Sequence, residues 1–363
     1  MISFFGAKSR PWVRVLAFLV LSLFVVAVTY PLWKPAVRHN RWFVIASNLG
    51  LDSLRRMGLR SGQIGQEVLS NPPESNIAPQ LAHLQEVYGL MVQHSGVDPT
   101  RLNGARVLEL GPGFTMTIPL MFVADGASYA VGVDKFVPFL TGPYYQQYYA
   151  KMRESLPAEK RERFDRALTL QPLALNQALV RQVYKQELQD IVPALGPGSY
   201  DMVVSNAVME EIYEPTPSLK AQADLLRPGG VMVHNIDLRD YGMFSNRGFH
   251  PLEFLTVPDW IYQKMVESSG QQSRRLAGYY RKAVESLGLE PEVYITHVLN
   301  HNELLPHPVK ELRPGIDYTD ADLQELNKIR PRLQPQFRDL PDSELLAQSI
   351  IFIARKPGAS AAK

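Results

Sequence analysis

The chain has no cysteine. Disulfides, thiolate metal sites and cysteine nucleophiles are excluded, while the compartment stays open. Its charge is nearly balanced, with 38 Lys and Arg against 36 Asp and Glu for a formal +2. No dense basic block stands beside stacking aromatics, so nucleic acid is not an expected partner. None of the eight histidines opens an H-E-x-x-H pair, and no metal is expected. His297, His301 and His307 are loosely spaced around prolines and read as surface residues. A G-x-x-x-x-G-K-S/T phosphate loop is also missing. What remains is 363 residues with 45% hydrophobic and 20% charged side chains, enough for one large domain or two modest ones.

One uncharged run is present. Residues 15–33 carry no charge over nineteen positions. As a helix they would span about 28 Å, close to a hydrocarbon core. Trp12, Tyr30 and Trp33 sit at the two ends, where interfacial aromatics belong. Thr29-Tyr30-Pro31 is no small-x-small cleavage site, so a membrane anchor over residues 1–34 is preferred to a cleaved signal or a core helix. Basic residues flank both sides and barely set an orientation. Residues 35–78 read as a basic amphipathic connector ending in Asn71-Pro72-Pro73. From Pro79, apolar positions at Leu81, Leu84, Val87, Tyr88 and Met91 have helical spacing and suit core packing.

The chain is organised around residues 106–134. Val107, Leu108 and Leu110 form a short apolar run broken by Gly111-Pro112-Gly113, then a helix-length segment follows. That is a strand–loop–helix opening, in which glycines let a ligand lie on the backbone and unpaired amides favour an anion. A second apolar run from Tyr129 ends in Asp134, a carboxylate placed to accept from ribose hydroxyls. Met116 stands where a dinucleotide fingerprint wants its third glycine, and its bulk is expected to crowd a pyrophosphate.

Further runs follow in order. Tyr144, Tyr145, Tyr148 and Tyr149 make an aromatic helix face, either a lid over an acceptor pocket or a helix packed beside the sheet. Residues 151–166 read as a charged, solvated helix. Asp201-Met202-Val203-Val204-Ser205 is a strand stopping at Asn206, and residues 219–226 are helical up to Arg227-Pro228-Gly229-Gly230. Strands follow at 231–236, 292–299 and 348–354, with a helix near 320–327. The segments ELGPG, VGVD, YDMVVSNAVMEEI and LLRPGGVMVHNIDLRD, taken together over about residues 105–240, resemble the class I S-adenosylmethionine-dependent methyltransferases. Glu211 departs from that pattern, standing where the family often has a histidine after Glu210.

The resemblance implies an α/β fold, a seven-stranded, mostly parallel, Rossmann-like sheet with helices on both faces. One transmembrane helix is expected before it. The domain is expected over 79–357, with 137–190 and 300–347 as insertions or a lid and 358–363 as a tail. It implies S-adenosyl-L-methionine as cofactor, held by Glu109, Gly111, Pro112, Gly113, Phe114, Asp134, Lys135, Ser205, Asn206 and Ala207. An acidic adenine contact is expected after the third strand, but residues 170–176, read as that strand, offer none. For a general base, His234 and Asp237 come first, with Asp240 and His250 behind; within its strand His234 reads first as a hydrogen-bonded core residue, and Asp237 also reads as a solvated or structural carboxylate. The expected reaction is methyl transfer to an O, N or C acceptor on a small molecule or lipid-linked intermediate at the membrane, the domain facing the cytoplasm where this cofactor is made. The rival is a silent domain of the same fold acting as a membrane-tethered binding module.

Overall fold

In chain order the strands are β1 (Arg106–Leu110), β2 (Tyr129–Asp134), β3 (Leu168–Leu170), β4 (Leu173–Leu175), β5 (Val180–Tyr184), β6 (Tyr200–Asn206), β7 (Leu226–Asp237), β8 (Glu290–Val298) and β9 (Ala347–Arg355). A single 7-stranded sheet has the order β5-β2-β1-β6-β7-β9-β8. Pairing is parallel from β5 to β7, and β9 runs antiparallel to both β7 and β8. This is the α/β sheet expected from the sequence. The computed structural model describes residues 37, 39–58, 76–97, 102–136, 138–268, 270–301, 303–304 and 308–358. The uncharged run at 15–33, part of the 35–78 connector and most of the tail lie outside them. Among the described residues no helix is long and apolar enough to cross a membrane.

Side chains of a strand alternate between its faces. Leu108, Leu110, Val131, Val133 and Val203 enter one core cluster; Val107, Ala130, Met202 and Val204 enter the other. Both faces are covered, which is why the central strands read as unbroken apolar runs. The helices of eight residues or more among the described residues are α1 (Arg41–Arg56), α2 (Ile77–Ser95), α3 (Thr117–Ala124), α4 (Pro143–Ser155), α5 (Ala158–Ala167), α6 (Leu188–Leu195), α7 (Thr216–Leu225), α8 (Asp259–Val266), α9 (Ala277–Ser286) and α10 (Asp320–Ile329). Helices α2 to α5 supply the second cluster; the remaining helices supply the first. The stripe read from Leu81 to Met91 is the buried face of α2, which Gly96 closes in the left-handed conformation.

The third strand differs from the sequence reading. Residues 170–176 fall in the small antiparallel hairpin β3–β4, and the strand beside β2 is β5. Part of the expected insertion at 137–190 is therefore sheet. The charged helix expected over 151–166 is broken at Leu156-Pro157, between α4 and α5.

The tyrosines of α4 belong to the core, not to an exposed lid. Tyr144, Tyr145, Tyr148 and Tyr149 are all buried. Two of their hydroxyls hold the start of α3. Tyr149 Oη accepts from the Met116 amide at 3.0 Å, and Tyr148 Oη bonds Thr117 Oγ1 at 2.8 Å. One of the amides that a helix start leaves unpaired is thus satisfied from within the protein.

Tyr149→Phe would leave the Met116 amide buried without a partner. A loss of about 1–3 kcal/mol is expected in chemical denaturation. An unchanged midpoint would show that the hydroxyl does not support this helix start.

Candidate functional site

The register sets the site. Leu110 of β1 lies level with Val133 of β2 on one side and Ser205 of β6 on the other, and Asn206 lies level with Asn235 of β7. The C-terminal ends of four strands therefore lie side by side along the sheet edge at which open α/β folds place a ligand cleft.

The glycine loop continues the ladder by one rung, because the Gly111 amide donates to the Val133 carbonyl at 2.8 Å. Gly111 has φ +70°, and a Cβ there would stand 2.4 Å from Val208 Cγ2. Gly113 has φ +65°, and its missing Cβ would meet nothing within 4 Å. The first glycine is thus needed for packing, while the second faces open space. A third glycine, which the sequence reading passed over, completes the arrangement. A Cβ on Gly132 of β2 would lie 2.8 Å from the Met116 sulfur and the Pro112 ring. Met116 is fully buried. It packs down onto β2 and does not crowd the cleft, so the steric reason given against a dinucleotide falls. Loop and strand have exchanged sizes, with the large residue in the loop and the small one in the strand. A glycine inside an otherwise apolar run was the available signal.

Asp134 ends β2 and is buried. Its Oδ2 accepts from the Gly113 amide at 3.2 Å and its Oδ1 from the Phe136 amide at 2.7 Å. Beneath it, Glu109 is 4% exposed and its Oε2 has no hydrogen-bond partner. Burial, and then the negative charge of Asp134, pushes the Glu109 carboxyl well above the usual carboxylate range. Phe114 is half-buried at the edge of the core. Lys135 points away and pairs with Glu187, three residues beyond β5. Glu187 is therefore the acid after the true third strand, missed because the hairpin segment reads more strongly as that strand.

On the other side, Ser205 is fully buried and its Oγ bonds His234 Nδ1 at 2.8 Å, so only its backbone can serve a ligand. Asn206 Oδ1 accepts from Asn235 Nδ2 at 2.8 Å. Ala207 is exposed at φ +52°, held there as its amide donates to the Asn235 carbonyl at 2.9 Å. A non-glycine residue in that region costs about 1–2 kcal/mol, and such strain gathers at functional turns.

The expected bases change. His234 is fully buried, lies parallel to the Phe352 ring, and has Nε2 without a partner. Burial drives it down to about 3, so it is a neutral core residue out of reach of any acceptor. Asp237 is bound by both oxygens to Arg239. Asp240 is spent on a loop knot, accepting from the amides of Gly242, Phe244 and Ser245. His250 Nδ1 accepts from the Leu252 amide.

The sequence reading treated Glu210 and Glu211 only as a departure from a motif. The structure brings both into the cleft wall. Glu210 Oε1 accepts from the Asp237 amide at 3.0 Å and the Tyr241 hydroxyl at 2.9 Å, while Oε2 has no partner. Burial pushes Glu210 up to about 8. Glu211 is open to solvent at its tip but walled by protein, and that crowding, followed by the charge of Asp134, pushes it up to about 7. Glu109, Asp134, Glu211 and Glu210 thus form a row in which neighbouring charges oppose one another. The nearby cations Lys135 and Arg239 are engaged by Glu187 and Asp237.

Among the described residues no group of three or more His, Asp or Glu is placed to hold a metal ion. His297 and His301 stand four apart, but on a strand and the turn after it. Their rings bond Thr296 and Asp322 respectively.

No protein-family model matches the chain. No curated protein matches it either. Among solved structures it is similar to an S-adenosylmethionine dependent methyltransferase from Mesorhizobium loti, at 16% identity over 70% of this chain and 92% of that one, with a TM-score of 0.34. It is similar to Haemonchus contortus phosphoethanolamine N-methyltransferase 2 in complex with S-adenosyl-L-methionine, at 12% identity, 75% of this chain and a TM-score of 0.39. The chain spans about half of that protein, 52% of its length. The cyclase SpnF is matched at 16% identity over 76% of this chain and 81% of that one, with a TM-score of 0.38. These similarities are low.

Carboxyls raised in the fold keep protons that the unfolded chain gives up above its ordinary value of 4.5. Stability is therefore expected to fall as pH climbs from the ordinary value through 7 and 8. Denaturation midpoints across that range should show this slope in the wild type and a shallower one in Glu210→Gln. Equal slopes would show that Glu210 titrates normally.

Proposed function

We propose that the chain is an S-adenosylmethionine-dependent methyltransferase whose acceptor is an O, N or C atom on a small molecule or a membrane-associated intermediate. The observation that carries this reading is the glycine loop, with its open face at Gly113, lying against the Asp134 carboxylate at the tip of β2. S-adenosylmethionine carries a ribose whose hydroxyls can donate to the Asp134 carboxylate and a methionine end that suits the loop amides. When bound, it would supply a methyl carbon on positive sulfur, to which an acceptor lone pair would bond as the C–S pair stays with the departing neutral thioether.

The residues fit that ligand. The amide face of residues 111–114 suits the methionine end. Asp134, which grips the Gly113 amide, is placed to exchange that bond for ribose hydroxyls. The backbone turn at Asn206-Ala207 faces the middle of the cleft, and buried Glu109 supplies the orphaned oxygen beneath. Orienting the acceptor is the main task, and proton removal is needed only where the acceptor carries a proton. Glu211 replaces His234 and Asp237 as the base in this reading. It is the solvent-reached acid of the row, and its raised value makes its carboxylate a competent proton acceptor near neutrality. The Glu210–Tyr241 pair stiffens the wall behind it.

Membrane placement through residues 1–34, with the domain on the cytoplasmic side, is part of the same proposal and rests on the sequence of residues 15–33.

Methyl-labelled S-adenosylmethionine incubated with the full chain and extracts of cells lacking it should label one product class. Glu211→Gln should lower kcat by about 100-fold or more with an acceptor that carries a proton. The wild-type rate should rise with pH through 7 and that rise should vanish in the variant. Unlabelled products with every extract would leave a binding module as the better reading, and an unchanged kcat would remove Glu211 as the base.

A further inference from the structure

One apolar surface is unrelated to the cofactor cleft. Helices α1 and α8 lie against each other, and between them is a groove of about 390 Å³. Trp42, Ile45, Leu49, Trp260, Ile261 and Lys264 line it. Its two tryptophans are strongly exposed, Trp42 at 64% and Trp260 at 73%. Exposure of two large rings on adjacent helices is a marked cost in water, and it usually marks an interaction surface.

The rings stand on a rigid base. Asn40 caps α1 by accepting from the Trp42 and Phe43 amides. Arg41 is tied to Glu253 at 2.8 Å and Thr256 at 2.8 Å. Asp52 accepts from the Ser268 amide at 2.9 Å, joining the far end of α1 to the end of α8.

We infer that this face sits in the interfacial layer of a lipid bilayer, with Trp42 and Trp260 at headgroup level. The inference rests on reading residues 15–33 as a membrane segment, which the groove itself does not require. Three observations favour lipid over other occupants. The uncharged run ends nine residues before Trp42. Nine residues reach at most about 30 Å when fully extended, so an anchored chain must keep this face close to the bilayer. Arg41 and Lys264 at the groove are paired with Glu253 and Glu267, and in the sequence Lys34 and Arg38 add positive charge just before α1. That charge complements anionic headgroups. Tryptophan beside basic residues is the composition that membrane interfaces select.

The face also leads to the cleft. After α8 the chain returns to the acidic wall within a few residues. The Ser273 amide donates to the Glu210 carbonyl at 2.7 Å, and a Cβ on Gly270 would lie 3.5 Å from Glu211 Oε2. A bilayer held against α1 and α8 therefore presents its surface to the acceptor side of the site. The acceptor class that fits is an amphiphile whose tail stays in the membrane.

The test uses the full chain with Trp12→Phe and Trp33→Phe, which leaves Trp42 and Trp260 as the only tryptophans. It is mixed with vesicles of phosphatidylcholine and phosphatidylglycerol, with and without bromine high on the acyl chains. Flotation with the vesicles and a fall in emission of roughly twofold on bromination are expected for rings at interfacial depth. Flotation without that quenching, while aqueous acrylamide quenches freely, would overturn the inference and leave the anchor standing. Failure to float would remove the anchor and the inference together. Shielding from both quenchers would overturn it in favour of a second copy or the chain's own N-terminal segment.

Discussion

The parallel register of β1 with its two neighbours is the constraint on which the rest depends. Leu110 is level with both Val133 and Ser205, so three strands end together and their next residues share one cleft. The Gly111 amide extends that register by its bond to Val133. A slip of one residue would turn every side chain to the opposite face. Leu108 and Leu110 would leave their cluster, Glu109 would change sides, and Asp134 would no longer reach the Gly113 amide. Gly111 and Gly132 allow the loop to settle on this frame, since a Cβ at either would collide with Val208 or with Met116 and Pro112.

That frame gathers charge where the fold alone has no use for it. Glu109, Glu210 and Glu211 all have raised carboxyls, and Asp134 contributes to two of those shifts. Burying acids near one another opposes folding, and two of them keep an oxygen without a partner. Such a cluster of shifted carboxyls is the kind that functional sites gather. The strained turn at Ala207 is a second cost at the same place. Stability and ligand binding are therefore in tension across the four strand tips, while the tyrosines of α4 secure the loop from below.

Much of the fold was legible in the sequence, for a physical reason. β1, β2, β6 and β7 are covered on both faces, so each is an apolar run closed by glycine or a polar tip. β5 was not legible, because Arg181 and Gln182 interrupt an edge strand that is only partly covered, while the hairpin beside residues 170–176 carries more leucine. The cofactor half of the cleft was legible through its glycines and Asp134. Its acid wall was not, since Glu210 and Glu211 read only as a departure from a motif. His234 misled for the same reason in reverse. Its neighbours Ser205 and Phe352 are distant in sequence, and only the sheet shows that they seal it off. Met116 and Gly132 are likewise paired by the sheet alone.

The central claim is that this cleft holds a positively charged adenosyl sulfonium with Asp134 on its ribose. Isothermal titration of the folded chain with S-adenosylmethionine, alongside Asp134→Ala, tests it most directly. Saturable binding to the wild type is predicted, weakened by about 10- to 100-fold in the variant through loss of a charge-assisted hydrogen bond. No heat from a correctly folded wild type, or equal affinity in Asp134→Ala, would contradict the account.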